Sequence, residues 1–340
     1  MKILIVCFIL IAGITENTSV TGNLNSKYDK IRYEDKVHIK EAFSISELLG
    51  NKIWSKWNEA PFLIIVITDE NEYLFSDENN SGTDGFVYSE FDTITQKHVY
   101  TRTKKFGSDL LATFPAVSGI STIVIGLPEN TSLTSAQWVS TLLHEHFHQL
   151  QQSRQDYFES VNNLGLAGDD NTGMWMLNYG FPYKEETLSA KYKELVLTAK
   201  RIYLENDTEK LKSKFANYKL LRDSFKKMIN EKDYIYFSFQ IWQEGIARYT
   251  ELKAAELMSE GKFEHSEKYS ALEDYVSPDT FYNGIINQLM VNADKQELNI
   301  NKRECFYTLG ALEGLILDRI NPGWKERYFP EKFFVEKYFE

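Results

Sequence analysis

The segment Thr141-Leu142-Leu143-His144-Glu145-His146-Phe147-His148-Gln149 sets two histidines four residues apart, with a glutamate directly after the first. On a helix, positions i and i+4 share a face, so the imidazoles of His144 and His148 can converge on one ion. Glu145 stands at the margin of that face, where a carboxylate can take a proton from metal-bound water. A helix carrying ordinary surface histidines is the plainer alternative. Against it, Thr134-x-x-Gln137 forms a capping box that starts a helix, and Trp138, Leu142, Phe147 and Leu150 supply a buried side. His146 points away from its two neighbours and is expected to pack or to make an outer contact, not to bind the same ion.

Two histidines need a third ligand. A histidine at the metzincin spacing would require a glycine at 151 and a histidine at 154, and the chain has Gln151 and Arg154. Asp169 or Asp170 could serve, although the Gly-rich surroundings read as a loop. The stronger candidate is Trp242-Gln243-Glu244-Gly245-Ile246-Ala247-Arg248-Tyr249-Thr250-Glu251, in a helical stretch whose small residues permit close packing. Glu244 and Glu251 are two turns apart and share a face, so one can ligate while the other hydrogen-bonds a ligand histidine and fixes its tautomer. Arg248 either holds a substrate carboxylate or pairs with Glu251; helical spacing favours the pairing.

The two motifs together, HExxH and Glu-Gly-x-Ala-x-Tyr-x-Glu, resemble those of the gluzincins, and especially of zinc aminopeptidases with an Asn-Glu-Gly-Phe-Ala signature. The resemblance covers about fifteen residues and implies that Glu244 is the third zinc ligand. Gln243 stands where that family has Asn, and the spacer from His148 to Glu244 is far longer, so residues 155–235 are expected to form an insertion. The resemblance also implies a zincin-like fold in which the strand over Ser121–Gly126 is an edge that pairs with an extended substrate. It further implies a Tyr or His downstream of the third ligand as oxyanion donor. Tyr307 is the choice here, at the start of a helix with Gly310 and Gly314 available for close approach.

The elements that must position these residues change character near residue 130. Before it, short β-branched and aromatic runs (62–67, 72–75, 85–88, 98–102, 122–126) alternate with Asp/Asn/Gly/Ser clusters, after one helix at about 40–57. Beyond it, helical periodicity dominates at about 134–153, 184–205, 207–230, 234–259, 279–292 and 304–319. The expected class is α+β: a β-rich N-terminal lobe over 23–130 and a mostly helical metal-binding lobe over 131–340, in one compact unit.

Residues 1–20 have the order of a secretory signal: Lys2, an apolar run over 3–12, then small and polar residues. The run is too short to span a bilayer, so the expectation is a secreted or periplasmic protein with no stable membrane insertion. With Cys7 removed, Cys305 would be left without a partner, which excludes a disulfide framework and thiolate zinc ligands. In a eukaryotic source, Asn17, Asn79, Asn130 and Asn206 would be glycosylation acceptors. The net charge of −11 disfavours nucleic acid as a partner.

The residues and the resemblance together predict a zinc metallopeptidase holding one Zn²⁺ through His144 and His148, with Glu244 as the third ligand that the resemblance implies. Glu145 would be the general base, and the partner a peptide or protein substrate. Two other readings stay open: a non-catalytic secreted binding protein with a structural or vestigial metal, and a two-histidine, one-carboxylate iron site for oxygenation. The intact Glu145 favours hydrolysis over oxygenation.

Overall fold

A computed structural model describes residues 30–77, 82–170 and 172–340. The signal segment and the acceptors Asn17 and Asn79 lie outside the described residues. Among those described, no helix is long and apolar enough to cross a membrane.

The chain enters through helix α1 (Tyr33–Ile53), which starts earlier than its apolar periodicity suggests. The cause is a charged first turn: Asp35, at the third helical position, accepts from both the backbone and the side chain of Arg32. Among the described residues six strands follow: β1 (Ile64–Ile67), β2 (Asn71–Ser76), β3 (Val87–Asp92), β4 (Lys97–Thr103), β5 (Leu111–Val117) and β6 (Ile120–Gly126). They form one mixed sheet in the order β3-β4-β2-β1-β6-β5. All four residues of β1 are buried, as expected of an Ile/Val run covered on both faces. It pairs antiparallel with β2 and parallel with β6.

β5 and β6 are joined by a hairpin whose turn residues Ser118 and Gly119 both have positive φ, the geometry that suits the strand twist. This hairpin corrects the expectation for 121–126. β6 is internal, between β1 and β5, and β5 occupies the edge. Strand β5 went unread because Ala112, Pro115 and Ala116 dilute its β-forming residues; Pro115 is tolerated there because an edge strand can spare an N–H.

The rest is helical: α2 (Pro128–Thr131), α3 (Ser135–Gln152), α4 (Tyr157–Asn162), α5 (Trp175–Asn178), α6 (Glu186–Tyr203), α7 (Thr208–Lys226) and α8 (Glu231–Gln240). A single π turn (Ile241–Gly245) leads into α9 (Ile246–Ser259), followed by α10 (Glu267–Ser270), α11 (Pro278–Lys295), α12 (Leu298–Asn301), α13 (Glu304–Ile320) and α14 (Trp324–Glu331). The architecture is α+β, with the sheet in the N-terminal half and a mostly helical remainder. The long spacer between the two motifs is filled by α4 to α8.

Helix α3 lies at the junction, packed on β5 and β6 and against α1 and α9. Its polar side chains tie it to the sheet. Trp138 Nε1 donates to the Gly126 carbonyl at 2.9 Å, and Gln149 Nε2 to the carbonyls of Leu63 and Ser121, each at 2.9 Å. On its other side, α9 and the π turn pack against α13. A Cβ on Gly245 would stand 2.5 Å from the Gly310 Cα, so two glycines set this approach. Buried residues from β1 to α13 belong to one continuous core.

Candidate metal centre

The capping box that begins α3 forms as read: Thr134 N–H donates to Gln137 Oε1 at 3.0 Å, and the Gln137 amide returns to Thr134 Oγ1. From there the helix carries His144, Glu145 and His148 into the interior, each 0 % exposed. One nitrogen from each histidine and one oxygen of Glu145 lie within 4.8 Å of one another.

The Nε2 atoms of His144 and His148 are 3.1 Å apart. Glu244 Oε2, 2 % exposed as a residue, is 3.6 Å from the first and 3.5 Å from the second. A point equidistant from these three atoms lies about 2.0 Å from each, which matches Zn–N and Zn–O bond lengths. Glu244 Oε2 has no hydrogen-bond partner, and neither has Glu145 Oε1. Orphaned carboxylate oxygens inside a protein are costly, and a cation relieves that cost. The donor set of two imidazoles and a carboxylate is an N/O set of the kind zinc takes.

Each ligand histidine is turned inward by a second residue. His144 Nδ1 meets Glu251 Oε1, and Arg248 Nη1 donates to the other oxygen of Glu251 at 2.6 Å. Arg248 therefore pairs with Glu251, as its spacing suggested. His148 Nδ1 is 2.7 Å from Gln151 Oε1 and 3.3 Å from Gln243 Nε2. With Nε2 facing the centre, Nδ1 carries the proton, so Gln151 is the partner and the Gln243 amide cannot donate to it. Gln243 is instead held through its Oε1, which accepts from the Tyr157 hydroxyl at 2.9 Å. Glu145 is steadied by Thr113 of β5, whose hydroxyl donates to Oε2 at 2.7 Å.

Electrostatics follow from this crowding of charge. Burial disfavours the protonated imidazole of His144, but Glu251, Glu244 and Glu145 outweigh it and raise its pKa to about 9 in the metal-free protein. Burial would also lift Glu244, yet His148 and His144 hold it well below the usual carboxylate range. Burial pushes the Glu145 carboxyl up, against the pull of both histidines.

The remaining sequence candidates fall elsewhere. His146 stacks on Phe62 with ring centroids 4.0 Å apart and bonds Gln149, so it packs. Asp170 spends its oxygens on the backbone of Thr172 and Trp175, in a loop capped by its own carboxylate. Asp169 is exposed. Tyr307 is buried in α13, where Arg303 donates to its hydroxyl oxygen. Sequence reasoning missed Thr113, Gln151 and Tyr328, which arrive through tertiary contacts and belong to neither motif. Comparison with protein-family profiles, curated proteins and solved structures finds no match to this chain.

Proposed function

We propose that this chain is a secreted or periplasmic zinc-dependent hydrolase of gluzincin type that cleaves peptide bonds. One observation carries the reading: His144, His148 and Glu244 aim three atoms at one point at metal-bond distance, with the carboxylate of Glu145 beside it. In this reading those three residues hold one Zn²⁺. When bound, the ion supplies a water of lowered pKa and polarises a carbonyl oxygen.

The protein's own groups then have separable tasks. Thr113 anchors one oxygen of Glu145 and leaves Oε1 unpartnered, oriented to accept a proton from water and later deliver it to a leaving amine. Glu251 fixes the His144 tautomer, and Arg248 keeps Glu251 ionised. The oxyanion role that the resemblance implies for Tyr307 is left to a test, because its hydroxyl is engaged by Arg303 in α13.

Burial favours a second reading. The site residues are 0–2 % exposed, which suits a metal held for structure with Glu145 as its fourth ligand. The variant Glu145→Gln separates the two. A hydrolase keeps zinc and loses cleavage of a peptide library, because the ligands remain and the base is gone. Wild-type protein that holds zinc and cleaves no peptide supports the structural metal, and full activity in Glu145→Gln defeats the catalytic assignment.

A further inference from the structure

The geometry points to Gln151 as the positioning residue that locks the two metal-binding helices together. It joins the tautomer of His148 to the carbonyls of the π turn that carries Glu244. This inference rests on the metal centre proposed above and adds the device that holds its two halves in register.

The π turn creates a polar problem. In an α-helix the Ile246 N–H would go to the Trp242 carbonyl; here it goes to Ile241, five residues back. The extra residue in the turn brings both Gln243 and Glu244 toward α3, but the Trp242 carbonyl loses its normal donor. Such a group buried without a partner is costly. Tyr328 of α14 supplies one donor, its hydroxyl reaching the Trp242 oxygen at 2.6 Å. Gln151 Nε2 supplies another, 3.2 Å from the Gln243 carbonyl, 3.4 Å from that of Trp242 and 2.7 Å from the Tyr328 hydroxyl oxygen.

The opposite end of the same amide faces His148, with Oε1 2.7 Å from Nδ1. Gln151 is 0 % exposed, so bulk solvent does not reach either end. An amide is the group required, because one end must accept from an imidazole N–H while the other donates to carbonyl and hydroxyl oxygens. A carboxylate would lose the donors, and an apolar side chain would lose both. Tyr328 is itself fixed: its ring stacks on Trp242 at 4.9 Å, and its backbone carbonyl accepts from Trp242 Nε1 at 3.3 Å. The position of Glu244 relative to His148 therefore depends on Gln151 and Tyr328 acting as a unit.

The test uses the full-length protein, stripped and reloaded with Co²⁺, whose visible bands report ligand geometry, and with Zn²⁺ for affinity by chelator competition. Wild-type protein is measured first; failure to bind either ion defeats the metal-centre reading itself. Given wild-type binding, Gln151→Met is expected to weaken Zn²⁺ affinity about 10–100-fold and to shift the Co²⁺ bands. Tyr328→Phe, which keeps the ring, should lose less, and the double variant should lose less than the sum of the two. Affinity within about twofold of wild type with unchanged Co²⁺ bands in folded Gln151→Met would overturn the proposal. So would strict additivity in the double variant. If Gln151→Met does not fold, Tyr328→Phe decides alone, with unaltered bands and affinity counting against the unit.

Discussion

The carboxylate of Glu251 holds Nδ1 of His144, and by doing so turns Nε2 of that ring toward Glu244. The two glutamates of one helix thus do different work on one histidine. Replacing Glu251 by Gln keeps the shape but removes the charge that Arg248 supports. Zn²⁺ affinity should fall about 10–100-fold, the usual cost of losing an outer partner of a ligand histidine. Chelator competition reads it directly, and an unchanged constant would show that Glu251 only packs.

Metal removal should cost stability. An ion that binds the folded chain alone contributes about 2.7 kcal/mol at 100 times its dissociation constant. Thermal melts with added Zn²⁺ and with a chelator should separate by several degrees in wild type and coincide in His148→Ala. Equal melting temperatures in wild type under the two conditions would speak against a site formed on folding.

The glycine pair sets the seating of the π turn. A Cβ on Gly310 would lie 2.6 Å from the Gly245 Cα and 2.9 Å from the Ile241 carbonyl oxygen, both backbone atoms that cannot turn aside. Gly310→Ala should therefore destabilise by about 1–3 kcal/mol through overpacking. Urea titration measures the loss, and Zn²⁺ affinity should drop with it as Glu244 is displaced. Wild-type stability in this variant would mean that α13 yields without cost.

Acid sensitivity should trace in part to His38 and in part to His146, whose burial pushes its pKa down to about 4. Buried His38 contacts Ser135 Oγ through Nε2 at 2.7 Å, and the Ser135 hydroxyl lies 2.5 Å from Asp274 Oδ1. The carboxylate takes the serine proton, so His38 donates from Nε2 and its Nδ1 is left as a buried nitrogen without a partner. Burial lowers its pKa, with Arg32 acting the same way and Asp35, Asp274 and Glu34 opposing. The unfolded chain binds the proton more readily, so stability should fall as pH drops below about 6.5. His38→Gln should reduce the fall of the melting temperature between about pH 7.5 and 5.5, with His146 keeping the remainder; an identical slope in the variant would assign the effect to other groups.

How much of this could be read from the chain differs by residue, for physical reasons. Helix α3 was legible to within a residue because a capping box and an apolar face mark it locally. Glu244 and Glu251 were legible as a pair because two helical turns separate them. Their helix, read as continuous over 234–259, is interrupted by the π turn, which leaves no mark in apolar periodicity. Strand β5 was lost to its Pro and Ala residues, and with it the true edge of the sheet. Gln151 and Tyr328 are 177 residues apart and meet only after folding, so no local pattern could have joined them.

That last contact has a consequence for biosynthesis. The histidine helix leaves the ribosome long before Tyr328 is translated, and until then the Trp242 carbonyl lacks its shortest donor, the Tyr328 hydroxyl. The frame of the centre closes only when α14 docks, so nascent chains ending before Tyr328 should carry both motifs and still fail to retain an ion. Ion capture would follow the docking of α14, a late step in maturation.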